Sequence, residues 1–159
     1  MQLHQAARSS RGFTLVELMV VVVIATMLLA IAVPTYMSQI RQSRRTEART
    51  AILDLAGREE RYLSTNPAGY TNVPALLGYP GFGPANPVAS GYYYLSVCAP
   101  AACAPSLVAP PSYTITALPV AGQSQTKDTP CASFSVDSTG KQFAFNSAGA
   151  DNTAYCWTN

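Results

Sequence analysis

The sequence predicts an α+β chain in which one long N-terminal helix packs on a four-stranded antiparallel β-sheet, followed by a C-terminal region closed by disulfides. Three observations carry that expectation. Residues 18–40 hold no Asp, Glu, Lys, Arg or His and run on into an amphipathic stretch. Segments after residue 91 alternate apolar with polar side chains, and the four cysteines, Cys98, Cys103, Cys131 and Cys156, all lie in the second half. At 159 residues the length is that of one domain, yet only 11% of residues are charged, against about 25% in an ordinary soluble domain. The shortfall sits in residues 18–40, which excludes a soluble protein evenly mixed along its length.

Residues 1–12, MQLHQAARSSRG, are short, polar and basic, with Arg8 and Arg11 just ahead of the apolar run. Such charges stay cytoplasmic while the run enters the bilayer. A plain transmembrane anchor is one reading. A general secretory signal peptide fits less well, because the apolar stretch is long and no small-residue cleavage site ends it. Neither accounts for Glu17, a lone carboxylate inside FTLVELMVVVVIATMLLAIAV, where an unpaired charge is expensive. A cut between Gly12 and Phe13 places a new α-amino group one helical turn away. The amino group of one chain and the carboxylate of another then satisfy each other in an assembly, which makes Glu17 a register device. A carboxylate also suits a helix N-terminus.

RGFTLVELMVVVVIATMLLAIAVPTY resembles the class III signal peptide and N-terminal helix of type IV pilins and their pseudopilin relatives. The resemblance implies cleavage by a prepilin peptidase after Gly12, N-methylation of Phe13, an assembly role for Glu17, and a helix kink at Pro34 that bends or melts in a filament. It also implies a leader over 1–12, a transmembrane and filament-core segment over 13–36, and the type IV pilin fold. The residues agree with this independently. A helix over 13–63 is about 75 Å long at about 1.5 Å per residue, and its first half is long enough to span a bilayer. Pro34 lacks an N–H and clashes one turn back.

Over 37–63 the pattern turns amphipathic, with Ile40, Ala48, Ala51, Ile52, Leu55, Tyr62 and Leu63 near one stripe and Arg41, Arg44, Arg45, Arg49, Glu59 and Glu60 mostly elsewhere. That stripe seats a globular head. The arginines form either a solvated face or one that meets lipid headgroups and neighbouring acidic subunits. Residues 64–91 are dense in Pro and Gly and predict an ordered αβ-loop anchored by Tyr70, Leu76, Leu77, Tyr79 and Phe82. Four strands follow at 92–97, 112–118, 132–136 and 141–146, the last with Phe143 and Phe145 inward, and Asp137–Gly140 is a hairpin turn between the final two. One buried sheet face on the helix follows.

Four cysteines allow three pairings. A periplasmic or extracellular head favours oxidation over an all-thiolate metal site, and no histidine follows the leader. The preferred pairing is Cys98–Cys103, pinning a small loop, with Cys131–Cys156, clipping the C-terminal segment to the sheet. The C-terminal half, through Gln125, Asp128, Cys131, Gly140 and Cys156–Trp157, resembles PilE-like minor pilins of Gram-negative bacteria. In those the last disulfide brackets an exposed D-region, here 131–156.

Catalysis is not expected. The head has no histidine, no dense carboxylate cluster and no phosphate-cradling glycine loop, so no cofactor or metal is assigned. The resemblance implies a minor pilin that supports pilus biogenesis, with twitching motility, adhesion or natural transformation as downstream roles. Implied partners are the prepilin peptidase, the major pilin and other minor pilins, the inner-membrane assembly platform, and the lipid bilayer before assembly. The head is then periplasmic first and on the cell surface later. Two alternatives stand beside it: a pilus-associated receptor for DNA uptake, and a pseudopilin of type II secretion. For the first, Tyr92, Tyr93, Tyr94 and Trp157 are candidates to stack bases. From residue 66 onward, however, only Lys127 and Lys141 stand against Asp128, Asp137 and Asp151, which disfavours phosphate binding. The formal net charge of +2 reflects the leader: without residues 1–12, eight basic side chains face eight acidic ones.

Overall fold

A computed structural model describes residues 12–88 and 90–158, so Arg8, Arg11 and the rest of the leader ahead of Gly12 lie outside the described residues. Two compact units are present, Met1–Ser38 and Gln39–Asn159.

Helix α1 runs over Leu15–Thr65 with Pro34 inside it. It starts after Thr14, whose Oγ1 accepts the Glu17 N–H at 3.2 Å. Thr14-x-x-Glu17 is the sequence form of a capping box, with the hydroxyl taking up one of the orphan amides of the first turn. In the first unit the described side chains are exposed, among them Leu15, Val16, Leu28 and Ile31. The helix has an 18-residue window of mean hydropathy 2.8, long and apolar enough to cross a membrane. Hydroxyls within it are satisfied locally: Thr26 donates to the Val23 carbonyl at 2.9 Å and Thr35 to that of Ile31 at 3.1 Å. Polar groups in lipid need such internal partners.

In the second unit α1 buries Arg45, Ala48, Ile52, Leu55 and Glu59, spaced three and four residues apart as one helical face demands. Arg45 and Glu59 belong to that face although the expected stripe left them out, while Ile40, Ala51, Tyr62 and Leu63 of the stripe are only half-buried. Against it lies an antiparallel meander of five strands in the order β1 (Pro87–Val88), β2 (Tyr93–Cys98), β3 (Thr114–Pro119), β4 (Ser133–Asp137) and β5 (Gln142–Phe145). The core joins Ala48, Ile52 and Leu55 of the helix to Tyr93, Leu95, Ile115, Ala117, Phe134, Val136 and Ala144 of the sheet. Register explains the layer: Leu95 pairs with Ala117, Ile115 with Val136, and Phe134 with Ala144.

The four expected strands are present with ends shifted by one or two residues, and the differences have causes. β1 pairs Val88 with Tyr93 inside the segment expected as loop. Two residues are too few to show alternation, and Pro87 is tolerated because the strand is an edge. Ala144, fully buried, faces the core in β5, while Phe143 and Phe145 are half-buried, so the inward assignment of the two phenylalanines is corrected. The space over Ala144 is closed by an unforeseen short helix, α2 (Thr153–Thr158). Thr153 Oγ1 accepts the Ala144 N–H at 2.8 Å, and the Trp157 ring meets Phe134 edge-on at 6.1 Å. Cys98 is bonded to Cys103 and Cys131 to Cys156.

Candidate functional site

The described residues contain no group of three His, Cys, Asp or Glu side chains able to hold a metal ion. Their most elaborate polar arrangement lies where α1 meets the C-terminal region. Arg45 reaches from the buried face of the helix and donates from Nε and Nη2 to the two carboxylate oxygens of Asp128, at 2.8 and 2.7 Å. Gln125 Nε2 donates to the same carboxylate at 2.9 Å. The pair is nearly solvent-free, with the side chains 8% and 1% exposed. The bond and charge of Asp128 hold the Arg45 guanidinium more firmly protonated than usual, against the opposing effect of burial.

Two neighbouring arginines complete a three-point grip. Arg44 donates to Ser124 Oγ at 2.6 Å and lies 3.4 Å from the centroid of the Tyr92 ring. Arg49 donates to the carbonyls of Trp157 at 2.7 Å and Cys156 at 3.3 Å, meeting carbonyls left open at the end of α2. Burial, with the charge of Arg45, lowers the pKa of Arg49. Neither sequence reading of the arginines describes these contacts: Arg45 is buried on its own chain's Asp128. The signal available was the isolation of Asp128, a carboxylate in a half of the chain with almost no charge.

The grip fixes the 3-10 turn Ser124–Lys127 beside residues 44 and 45. In a 3-10 turn residues i and i+3 eclipse, so Lys127 stands on the side of Ser124 and is exposed. Arg41, one helical turn before Arg44 and Arg45, is half-exposed. Among the described residues the ion pairs are Arg45–Asp128 and Arg58–Asp54, which leaves Arg41, Arg44 and Lys127 without a carboxylate partner. Glu47, the acidic side chain one turn on, accepts the Ser90 N–H at 3.3 Å.

The aromatic candidates fare differently. Tyr93 is 2% exposed and packs on Phe134 at 6.2 Å. Trp157 donates its indole N–H to the Phe143 carbonyl at 3.1 Å while packing on Phe134, and Tyr92 is covered by Arg44. Tyr94 remains half-buried on β2. Gly12 and Phe13 precede α1, with Phe13 83% exposed, and Glu17 lies in its first turn.

At the other end of the second unit, Glu59 is fully buried. Its Oε2 accepts the Thr71 N–H at 3.1 Å and its Oε1 has no hydrogen-bond partner. Burial pushes its carboxyl up to about 7; the Thr71 bond opposes this and the charge of Glu60 adds to it. Nearby, Asp137 accepts from Ser106 Oγ at 2.9 Å, from the Thr139 hydroxyl at 2.6 Å and from the Lys141 N–H at 3.1 Å, tying the loop after β2 to the β4–β5 hairpin.

Residues 34–135 match the family described as type IV minor pilin ComP, DNA uptake sequence receptor. The chain belongs to that family. Residues 7–33 match the prokaryotic N-terminal methylation motif, which encloses Gly12, Phe13 and Glu17. No curated protein matches the chain. As a type IV minor pilin it has the general pilin fold, a long N-terminal helix against an antiparallel sheet with disulfides toward the C-terminus, and a structural rather than catalytic role. The methylation motif and the one helix among the described residues that is long and apolar enough to cross a membrane are consistent with a membrane-anchored prepilin. The family match covers Arg41, Arg44, Arg45, Arg49, Arg58, Arg61 and Lys127 and stops before Lys141.

Proposed function

We propose that this minor pilin receives duplex DNA at the type IV pilus, with Arg41, Arg44 and Lys127 among the cations that meet its phosphates. The observation that carries the reading is the match of residues 34–135 to a family described as a DNA uptake sequence receptor. The cationic side chains without carboxylate partners support it, because sequence-independent DNA affinity comes from Lys and Arg that release counterions. Counting head cations only from residue 66 onward understates the charge available. The compact unit starts at Gln39, so the arginines of α1 belong to the same body as Lys127. With Tyr93 buried in the core and the half-buried Trp157 packed against it, binding works through phosphates and groove edges rather than through a stacking platform.

The pilin's other steps follow the pattern of the family. A prepilin peptidase cuts after Gly12 and methylates Phe13, Glu17 sets register against a neighbouring subunit, and helix flexibility at Pro34 accommodates packing with the major pilin and other minor pilins on the inner-membrane platform. The subunit resides in the inner membrane with its head in the periplasm and then in the surface pilus.

The test is fluorescence anisotropy of labelled duplex DNA with the full chain in detergent micelles over a salt series. The wild type is expected to bind with a steep salt dependence and to prefer particular sequences. R41Q/K127Q is expected to reduce the slope of log K against log salt by about 1.8, at about 0.9 for each phosphate no longer neutralised. Absence of binding at low salt, or an unchanged slope in the variant, contradicts the reading.

A further inference from the structure

We propose that Arg41, Arg44 and Lys127 form a headgroup site for anionic phospholipid, occupied while the pilin waits in the membrane. The proposal goes beyond DNA reception and does not depend on it. It begins with position along one helix. Arg41 follows directly on Ile40, where the uncharged run ends, and Tyr36 precedes it. Tyrosine is enriched at the level of the headgroups. Arg41 and Arg44 follow Tyr36 by five and eight residues in sequence. The headgroup layer is about 5–7 Å deep on each side of the hydrocarbon, and arginine stems reach back toward it while the guanidinium stays solvated.

What the fold adds is the third cation. Lys127 lies 86 positions from Arg41 in sequence, and its turn is brought beside α1 because Arg44 holds Ser124 and Arg45 holds Asp128. The two bonds bracket the turn that carries Lys127. The Arg44 guanidinium is also pre-set by the Tyr92 ring at 3.4 Å, so it is ordered before a phosphate arrives. Three cations without carboxylate partners, two on α1 and one on the turn bonded to it, offer charge-assisted donors to the acceptor oxygens of an anionic phosphodiester headgroup. The Arg45–Asp128 pair is neutral as a unit and fixes the site without competing for the lipid. If the same cations also serve DNA, as proposed above, leaving the bilayer is what frees them.

The full chain, extracted in mild detergent from vesicles of equal phosphatidylglycerol and phosphatidylethanolamine, is tested by native mass spectrometry for the lipid it retains. Wild-type protein is expected to carry phosphatidylglycerol over phosphatidylethanolamine by about tenfold or more. R41Q/K127Q should lose that preference, each single variant should lose part of it, and K141Q should keep it because Lys141 sits on the β4–β5 hairpin. Equal retention of the two lipids by the wild type, or an equal loss from K141Q, overturns the site. No DNA enters the assay, so its outcome is separate from that of the anisotropy measurement.

Discussion

At the scale of single residues, two buried charges make different predictions. Glu59 holds a proton in the folded chain up to about pH 7, whereas an ordinary glutamate releases it near 4.5. Between those values the native state binds more protons than the unfolded one, so stability falls as pH rises. Asp54, Asp137 and Asp151 have lowered pKa values and cost stability only under more acid conditions, which isolates Glu59 between pH 5 and 8. Thermal unfolding is expected at higher temperature at pH 5 than at pH 8, and Glu59→Gln should flatten the difference; a wild type that stabilises toward pH 8 contradicts this. Arg45 and Asp128 behave as a unit. Asp128→Ala strands a buried guanidinium and should cost about 3–5 kcal/mol in denaturant unfolding, while R45M/D128L, which removes both charges, should cost much less.

At the scale of elements, the two disulfides close loops of very different size, with sequence separations of 5 and 25 residues. Chain-entropy reasoning assigns about 2 kcal/mol to Cys98–Cys103 and about 3.5 kcal/mol to Cys131–Cys156. Unfolding of C98S/C103S and C131S/C156S is expected to keep that order. Arg49→Ala should loosen the same C-terminal segment by another route, since Arg49 meets the carbonyls of Cys156 and Trp157, and faster amide exchange over Thr153–Thr158 would show it.

Elements with strong periodicity were legible in the sequence: α1 from its uncharged and amphipathic stretches, and β2 to β5 from alternation. What escaped was short or long-range. β1 has two residues, and α2 is a six-residue helix whose start rests on the Asp151 carboxylate accepting the Thr153 N–H at 2.8 Å. The capping relation of Thr14 to Glu17 is present in the spacing but is hard to see beside the membrane signal. Arg45 reads as solvated because its partner lies 83 positions away, and the place of the Lys127 turn beside α1 was invisible for the same reason, since it is held there through Ser124 and Asp128.

At the scale of the whole molecule, charge is arranged by stage of life. The uncharged residues 18–40 suit a bilayer and then a filament core, and Glu17 is the exception, proposed above to set register against a neighbouring subunit. Glu17→Ala is expected to insert into the membrane yet enter filaments poorly; normal incorporation contradicts the register role. The cations at the start of the second unit, by contrast, are expected to matter for cargo and not for assembly.

The most direct measurement is therefore made in cells carrying R41Q/K127Q, scoring surface filaments and uptake of labelled duplex DNA in parallel. A receptor pilin predicts filaments in normal number with DNA uptake reduced about tenfold or more, in line with the weaker, salt-sensitive hold on the phosphates. Wild-type uptake in the variant would contradict it.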